Sequence, residues 1–287
     1  MLFDQITIVG VGLIGGSVGL AAKARGVAGR VVGVGRDRAR LEHAVRLGAV
    51  DSFTTDLCDG VSGAGLVVVC TPVDRIAETI LAAATCCPPG TIFTDGGSTK
   101  GNVVAGIAGR LPHGVTCVPA HPLAGSEKAG VEHARADLFV NRLTILTPIP
   151  DTPRAALERV EAFWRALGSR ITTMTPDDHD RALANTSHLP HAVAAGVAAV
   201  MPVEWLPLTA GGFRDTTRIA GGDPALWAAI FAANRDAVLA ALAGFTARMD
   251  EFRRHLEAGD GAGLLRWLAE AKQVRDALGT GNPPDRA

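Results

Sequence analysis

His121 stands just past a short apolar run, Thr116–Pro119, and opens the segment His121-Pro122-Leu123-Ala124-Gly125-Ser126-Glu127. A histidine at the carboxyl end of a buried strand sits where open α/β sheets bind ligands. Near neutral pH its imidazole can take the proton of a substrate hydroxyl. A second polar segment, Thr94-Asp95-Gly96-Gly97-Ser98-Thr99-Lys100, follows another apolar run at the same ligand-binding edge. Further on, Gly211-Gly212-Phe213-Arg214-Asp215-Thr216-Thr217-Arg218 is a glycine-led turn carrying two arginines. An arginine there can clamp a carboxylate through two parallel hydrogen bonds; on the surface it is simply solvated. His179, His188 and His191 fall close together in the chain. They admit two readings, a metal site or the rim of a pocket. His188 and His191 straddle Pro190, and the carboxylate pattern of a two-metal helical bundle is missing, so the rim is preferred and no metal is expected.

The N-terminus supplies a candidate nucleotide site. Gly10-Val11-Gly12-Leu13-Ile14-Gly15 follows the apolar run Ile6–Val9 and precedes a small-residue helical stretch, Ser17–Ala24. Strand, glycine turn and helix in that order are the setting a dinucleotide fingerprint requires. Gly10 permits the tight turn, Gly12 lets backbone approach a pyrophosphate, and Gly15 lets helix and strand pack closely. Leu13 and Ile14 belong to the same cradle, as do Thr71 and Pro72 at the end of the run Leu66–Cys70. A ribose-binding acid is expected about 20 residues after the glycines. Gly35 stands there instead, followed by Arg36-Asp37-Arg38. Arg36 and Arg38 would attract a 2′-phosphate, so NADP is the expected cofactor with NAD possible. The alternative is that Asp37 serves the ribose and both arginines are solvated.

Strand and helix patterns alternate up to Pro176. Strands are expected at Ile6–Val9, Arg30–Val34, Leu66–Cys70, Ile92–Thr94, Thr116–Pro119, Leu143–Thr147 and Arg170–Met174. Helices are expected at Arg38–Leu47, Val73–Ala84 and Pro153–Leu167. Continuous apolar runs suit parallel strands buried on both faces, hence one doubly wound α/β sheet. Beyond Pro176 the stretches Asp177–Ala199, Ala225–Leu256 and Leu264–Ala277 read as helices. Two domains follow: 1–176, of Rossmann type, and 177–287, all-helical. At 287 residues each can bury its own core.

Composition excludes several classes. A net charge of −1 argues against a nucleic-acid surface. No apolar run approaches the ~18 residues a membrane helix needs, and no signal peptide is expected. The five cysteines lack metal spacing, and reduced thiols in a cytoplasmic protein are expected. With no tyrosine in the chain, mechanisms that use a phenol as acid or base are excluded. Two other classes share the glycine turn. A β-hydroxyacid-type dehydrogenase would rely on a lysine in the helical part, where Lys272 stands near the end. A non-catalytic NADP sensor would not need the polar segments.

Together the segments Gly10–Ser17, Asp95–Lys100, His121–Glu127, His188–His191 and Phe213–Ala220 resemble the prephenate/arogenate dehydrogenase family of tyrosine biosynthesis. The resemblance implies a Rossmann-type domain, a helical domain that makes a homodimer, and oxidative decarboxylation of a cyclohexadiene acid. It further implies that His121 meets the ring hydroxyl and that Ser98 lies near it. Arg218 would bind a carboxylate, and His191 would help place the substrate. Glu127 would sit at the pocket mouth, with Ser126 and His188 on the pocket wall.

Overall fold

The computed structural model describes residues 1–126 and 128–278. Six strands form one parallel sheet: β1 (Phe3–Val9), β2 (Ala28–Val34), β3 (Ser52–Thr54), β4 (Leu66–Val69), β5 (Ile92–Asp95) and β6 (Thr116–Cys117). Their order is β3-β2-β1-β4-β5-β6, so the strand order reverses between β1 and β4, where such sheets hold dinucleotides. The connecting helices are α1 (Leu13–Ala24), α2 (Arg38–Arg46), α3 (Leu57–Val61), α4 (Ile76–Ala84) and α5 (Gly101–Ile107). β4, Leu-Val-Val-Val, is wholly buried, as a central parallel strand must be. β3, a half-exposed Ser-Phe-Thr, has too little apolar signal to be read from sequence.

The expected single sheet is in fact two. β7 (Ala120–Pro122), β8 (Leu143–Leu146) and β9 (Arg170–Thr173) form a second sheet, with β7 antiparallel to β8 and β8 parallel to β9. The chain leaves the first sheet for a local reason. Val118 N–H still donates to the Phe93 carbonyl at 2.8 Å. Pro119 has no N–H to give, and the Ala120 N–H goes to the Asp95 carboxylate at 3.1 Å. His121 therefore sits within a short strand rather than in a loop after one.

Helix α6 (Arg154–Ala166) backs the second sheet. Ala156, Val160, Phe163 and Trp164 repeat at helical spacing and are buried. Its outer face carries the i,i+4 pairs Arg154–Glu158 and Glu161–Arg165. Trp164 meets Phe139 and Phe163 edge-on, and its indole N–H reaches the Thr94 hydroxyl at 3.5 Å.

Helices α7 (Pro176–Leu183), α8 (Leu189–Ala199), α9 (Gly211–Thr217), α10 (Pro224–Ala233), α11 (Arg235–Glu257) and α12 (Gly261–Ala277) complete the chain. A π turn, Ala184–His188, joins α7 to α8. Pro190 cannot donate to the carbonyl four residues back, and the helix widens there. The single helix expected over Ala225–Leu256 is two, α10 and α11, broken at Asn234, whose side chain is engaged elsewhere. The chain divides into two compact units, Met1–Val238 and a second that begins at Leu239. Within the second, α12 and the later turns of α11 meet through Phe252 and Trp267 and through the Arg248–Glu270 ion pair at 2.8 Å.

The expectation of five reduced thiols is corrected. Cys58 in α3 is disulfide-bonded to Cys86, just past α4, while Cys70, Cys87 and Cys117 are free. The partners lie 28 residues apart in sequence and meet only through the packing of α3 on α4. Among the described residues no single helix is long and apolar enough to cross a membrane.

Trp164 is fully buried against Phe139, Phe163 and Thr94. Trp164→Ala is expected to cost about 3–5 kcal/mol of unfolding free energy, read by urea denaturation. A loss under about 1 kcal/mol would show that the aromatic cluster is not what holds α6 in place.

Candidate active site

The cradle at the first turn is built from backbone. Gly10 has φ +95°, and a Cβ there would lie 2.6 Å from the Cys70 carbonyl oxygen. At Gly15 a Cβ would lie 2.2 Å from the Gly10 carbonyl, so α1 approaches β1 as closely as backbone allows. Gly12, the N-cap of α1, has open space where its Cβ would be and no side chain capping the helix. The first-turn N–H groups of α1 are thus left for a ligand. Leu13 and Ile14 begin α1, and Ile14 lies against the Gly96 and Gly125 loops. Thr71, with its hydroxyl oxygen buried and unpartnered among the described residues, adjoins this turn, and Pro72 is exposed beside it. An open glycine face, free helix N–H groups and an orphaned hydroxyl fit a dinucleotide phosphate.

At the end of β2 the side chains divide. Asp37 caps α2, its carboxylate accepting from Arg40 N–H at 3.2 Å and pairing with the Arg40 guanidinium at 3.4 Å. Arg38 lies over the Phe53 ring at 5.5 Å. Arg36 is exposed and has no partner among the described residues.

Deeper in the same unit, a hydrogen-bonded chain runs from α7 to β7. Asp180 receives Lys100 N–H on Oδ1 and Gly101 N–H on Oδ2, both at 2.8 Å. It also bonds His179 Nδ1 at 2.7 Å, and His179 Nε2 bonds His121 Nδ1 at 2.9 Å. The proton positions follow from the one member that can only accept. Burial opposes ionisation of Asp180, but the bonds from His179, Lys100 and Gly101 outweigh it and hold the carboxyl below its usual range. An ionised Asp180 takes the proton of His179 Nδ1. With its ring neutral, His179 Nε2 is then a bare acceptor and takes the proton of His121 Nδ1. His121 Nε2 is left as an unprotonated lone pair. Burial above all, then the nearby His179, Lys100 and His188, push the proton affinity of His121 well down, so the ring stays neutral.

His188 rides on the π turn. Asn234 Nδ2 donates to the Asp180 carbonyl at 2.8 Å and faces His188 Nδ1 at 3.1 Å. His188 is pushed down to about 4 by burial and by His179 and His191, against the pull of Asp180. His191 stacks on Trp227, ring centroids 3.5 Å apart and 13° from parallel. Its Nδ1 is buried without a partner among the described residues. Gly222 makes room for that stack: a Cβ there would lie 2.5 Å from the Trp227 indole nitrogen. Arg218 opens a 3₁₀ turn, Arg218–Gly221, and is exposed. Ser98 is half-buried in the loop between Asp95 and Lys100. Ser126 is exposed, its hydroxyl accepting from Lys128 N–H at 3.2 Å. Glu127 lies outside the described residues.

The structure thus ties His121 and His188 into one network with His179, Asp180 and Asn234. No described hydrogen bond links Ser98, Ser126, His191 or Arg218 to that network. Sequence reasoning placed His179 on a rim and passed over Asp180 and Asn234. The available signal was Asn234 itself, a lone amide inside an alanine-rich apolar stretch. Among the described residues no cluster of His, Cys, Asp and Glu is disposed to hold a metal ion.

A parallel sheet with a phosphate cradle at its switch point, beside a buried neutral histidine, defines an oxidoreductase that uses a nicotinamide dinucleotide. Residues 18–173 match the family model described as prephenate dehydrogenase, nucleotide-binding domain, and residues 175–270 the one described as prephenate dehydrogenase, dimerization domain. A cyclohexadienyl dehydrogenase of Zymomonas mobilis is 36% identical, covering 97% of each chain. The prephenate dehydrogenase of Bacillus subtilis is 34% identical over 96% of this chain and 76% of its own. The structure of the A. aeolicus prephenate dehydrogenase with hydroxyphenyl propionate and NAD+ superimposes with TM-score 0.88. Identity is 31%, covering 96% of this chain and 98% of that one. The chain belongs to the prephenate dehydrogenase family.

The buried neutral histidines set a pH dependence. His188 falls from the ordinary 6.5 to about 4 on folding. Between those values the unfolded chain binds a proton that the native state does not, so stability drops as pH falls through this window. Urea denaturation of wild type and His188→Gln across the window should show a shallower decline in the variant. Equal slopes would mean that His188 carries none of the dependence.

Proposed function

We propose that this protein oxidatively decarboxylates a cyclohexadiene acid, prephenate or arogenate, to a phenol, with NADP preferred over NAD. The observation that carries the reading is the chain Asp180–His179–His121, which delivers one bare nitrogen, His121 Nε2, in a buried setting. When bound, the nicotinamide supplies the two-electron oxidant. Gly10, Gly12, Leu13, Ile14, Gly15, Thr71 and Pro72 would hold the dinucleotide. Arg36 would meet its 2′-phosphate with Arg38 alongside, since Asp37 is engaged as a helix cap.

His121 Nε2 accepts the ring hydroxyl proton as the carbinol carbon is oxidised. The charge that develops on the imidazole is balanced through His179 by Asp180. Ser98 donates to the hydroxyl oxygen and orients it. The ring carboxylate then departs as carbon dioxide, and the aromatic product makes the step irreversible. Arg218 contributes to binding rather than to the barrier, because a tight grip on the departing carboxylate would oppose its loss. His191, its Nδ1 unpartnered, offers a hydrogen bond to the side chain of the substrate, and His188, Ser126 and Glu127 complete the wall. The functional division falls at 176/177, between a Rossmann-type and a helical domain. The exposed Val200, Val203, Trp205 and Leu208 support a homodimer through the helical part. A soluble dinucleotide and a small acid support a cytoplasmic reaction.

Initial rates with prephenate and with arogenate, each with NADP and with NAD, test the reading. Turnover of either acid, faster with NADP, is expected, and Arg36→Ala should erase the cofactor preference. If neither acid turned over while NADP still bound, the reading would fall. His121→Asn should cut kcat ~10²–10⁴-fold with cofactor affinity nearly unchanged. Asp180→Asn should approach the same loss, because an amide can present N–H to His179 and reverse the tautomers. Arg218→Ala should raise KM with much less effect on kcat.

A further inference from the structure

Asp95 and Lys100 are both fully buried and ion-paired, yet no step of the reaction uses their charge. A buried ion pair is weak grounds for stability, since the desolvation of two charges offsets most of their attraction. Its purpose here is legible in what it holds. Asp95 Oδ1 accepts the Ala120 N–H at 3.1 Å, and Lys100 Nζ donates to the Ala120 carbonyl at 2.8 Å. Both polar groups of the residue preceding His121 are thus held by side chains. Asp95 Oδ2 also accepts Gly97 N–H at 2.9 Å and bonds Lys100 Nζ, which closes the loop that presents Ser98. The backbone N–H of Lys100 is one of the three donors on Asp180. A single pair therefore touches the Ser98 loop, the His121 strand and the anchor of the His121–His179 chain. Apolar replacements would leave the Ala120 N–H and C=O buried without partners.

We propose that Asp95 and Lys100 are positioning residues that lock the Ser98 loop and the Ala120 peptide in one register, and so set where Ser98 and His121 meet the substrate hydroxyl. The proposal rests on the reading of His121 as the base. Lys100 has a second effect. The groups facing His121 are Lys100 from the loop after β5, His179 from α7 and His188 from the π turn, with Asp180 behind His179. The Lys100 charge is one of those that disfavour protonation of His121.

The test uses Lys100→Met, Asp95→Asn and the double variant, in which both charges are removed together. Each folded variant should lose at least about tenfold in kcat. The double variant should lose no more than the worse single one, as expected of residues acting as a unit. NADP affinity and KM should stay within about threefold. In Lys100→Met the acid limb of kcat should move to higher pH. A pair that only stabilised the fold would lower the melting temperature and leave kcat and the acid limb in place. A folded variant within about tenfold of wild-type kcat overturns the proposal. Should no variant fold, wild-type hydrogen exchange decides. An Ala120 amide that exchanges only on global unfolding supports the clamp, and one that exchanges like an open loop overturns it. Wild-type protein that turns over neither acid would defeat the functional reading, whereas the Ala120 amide would still judge the clamp.

Discussion

The carboxylate of Asp180 is the fixed point of this molecule. It accepts two backbone N–H groups from the start of α5 and one ring N–H from His179. Because an ionised carboxylate can only accept, it fixes a proton on His179 Nδ1, and with that ring neutral the order of donors passes on to His121. The same contacts fasten α7 to the carboxyl edge of the parallel sheet. One interaction thus docks a helix, orders two histidine rings and leaves a bare nitrogen on His121. Asn234, at the break between α10 and α11, extends the arrangement, donating to the Asp180 carbonyl and facing His188.

Burial works in two directions around this point. It makes a charged imidazole unfavourable, which keeps His121 neutral. It equally makes any unmatched polar group unfavourable, and the side chains of Asp95, Lys100, His179 and Asp180 all have hydrogen-bond partners. The exceptions among the described residues are the Thr71 hydroxyl and His191 Nδ1. One adjoins the glycine cradle and the other lies against Trp227. The π turn belongs to the same economy: Pro190 denies the helix a donor, and the widened turn carries His188 toward Asn234.

Much was legible in the chain itself. The glycine spacing between an apolar run and a small-residue stretch determines the cradle, because only backbone without Cβ fits between Gly10, Gly15 and Cys70. Continuous apolar runs determine buried parallel strands, and β1, β2, β4 and β5 follow them. The absence of tyrosine excludes a side-chain phenol as acid or base. Ser98 lies just past β5 as the apolar run indicates, whereas His121, expected just past a strand, lies within β7.

What only tertiary structure decided involves partners far apart in sequence. His121 and His179 are 58 residues apart, and Asp180 meets Lys100 across 80. No local periodicity encodes such distances. The capture of the Ala120 amide by Asp95, which moves His121 into a second sheet, is likewise a side-chain event that strand propensity does not register. The Cys58–Cys86 bond follows from α3 packing on α4, not from any cysteine spacing. Local pattern determines which surfaces must be buried, because that is a property of each segment with water. Which polar groups then meet is settled by the way those surfaces stack, since a buried donor must find its acceptor wherever the fold has placed it.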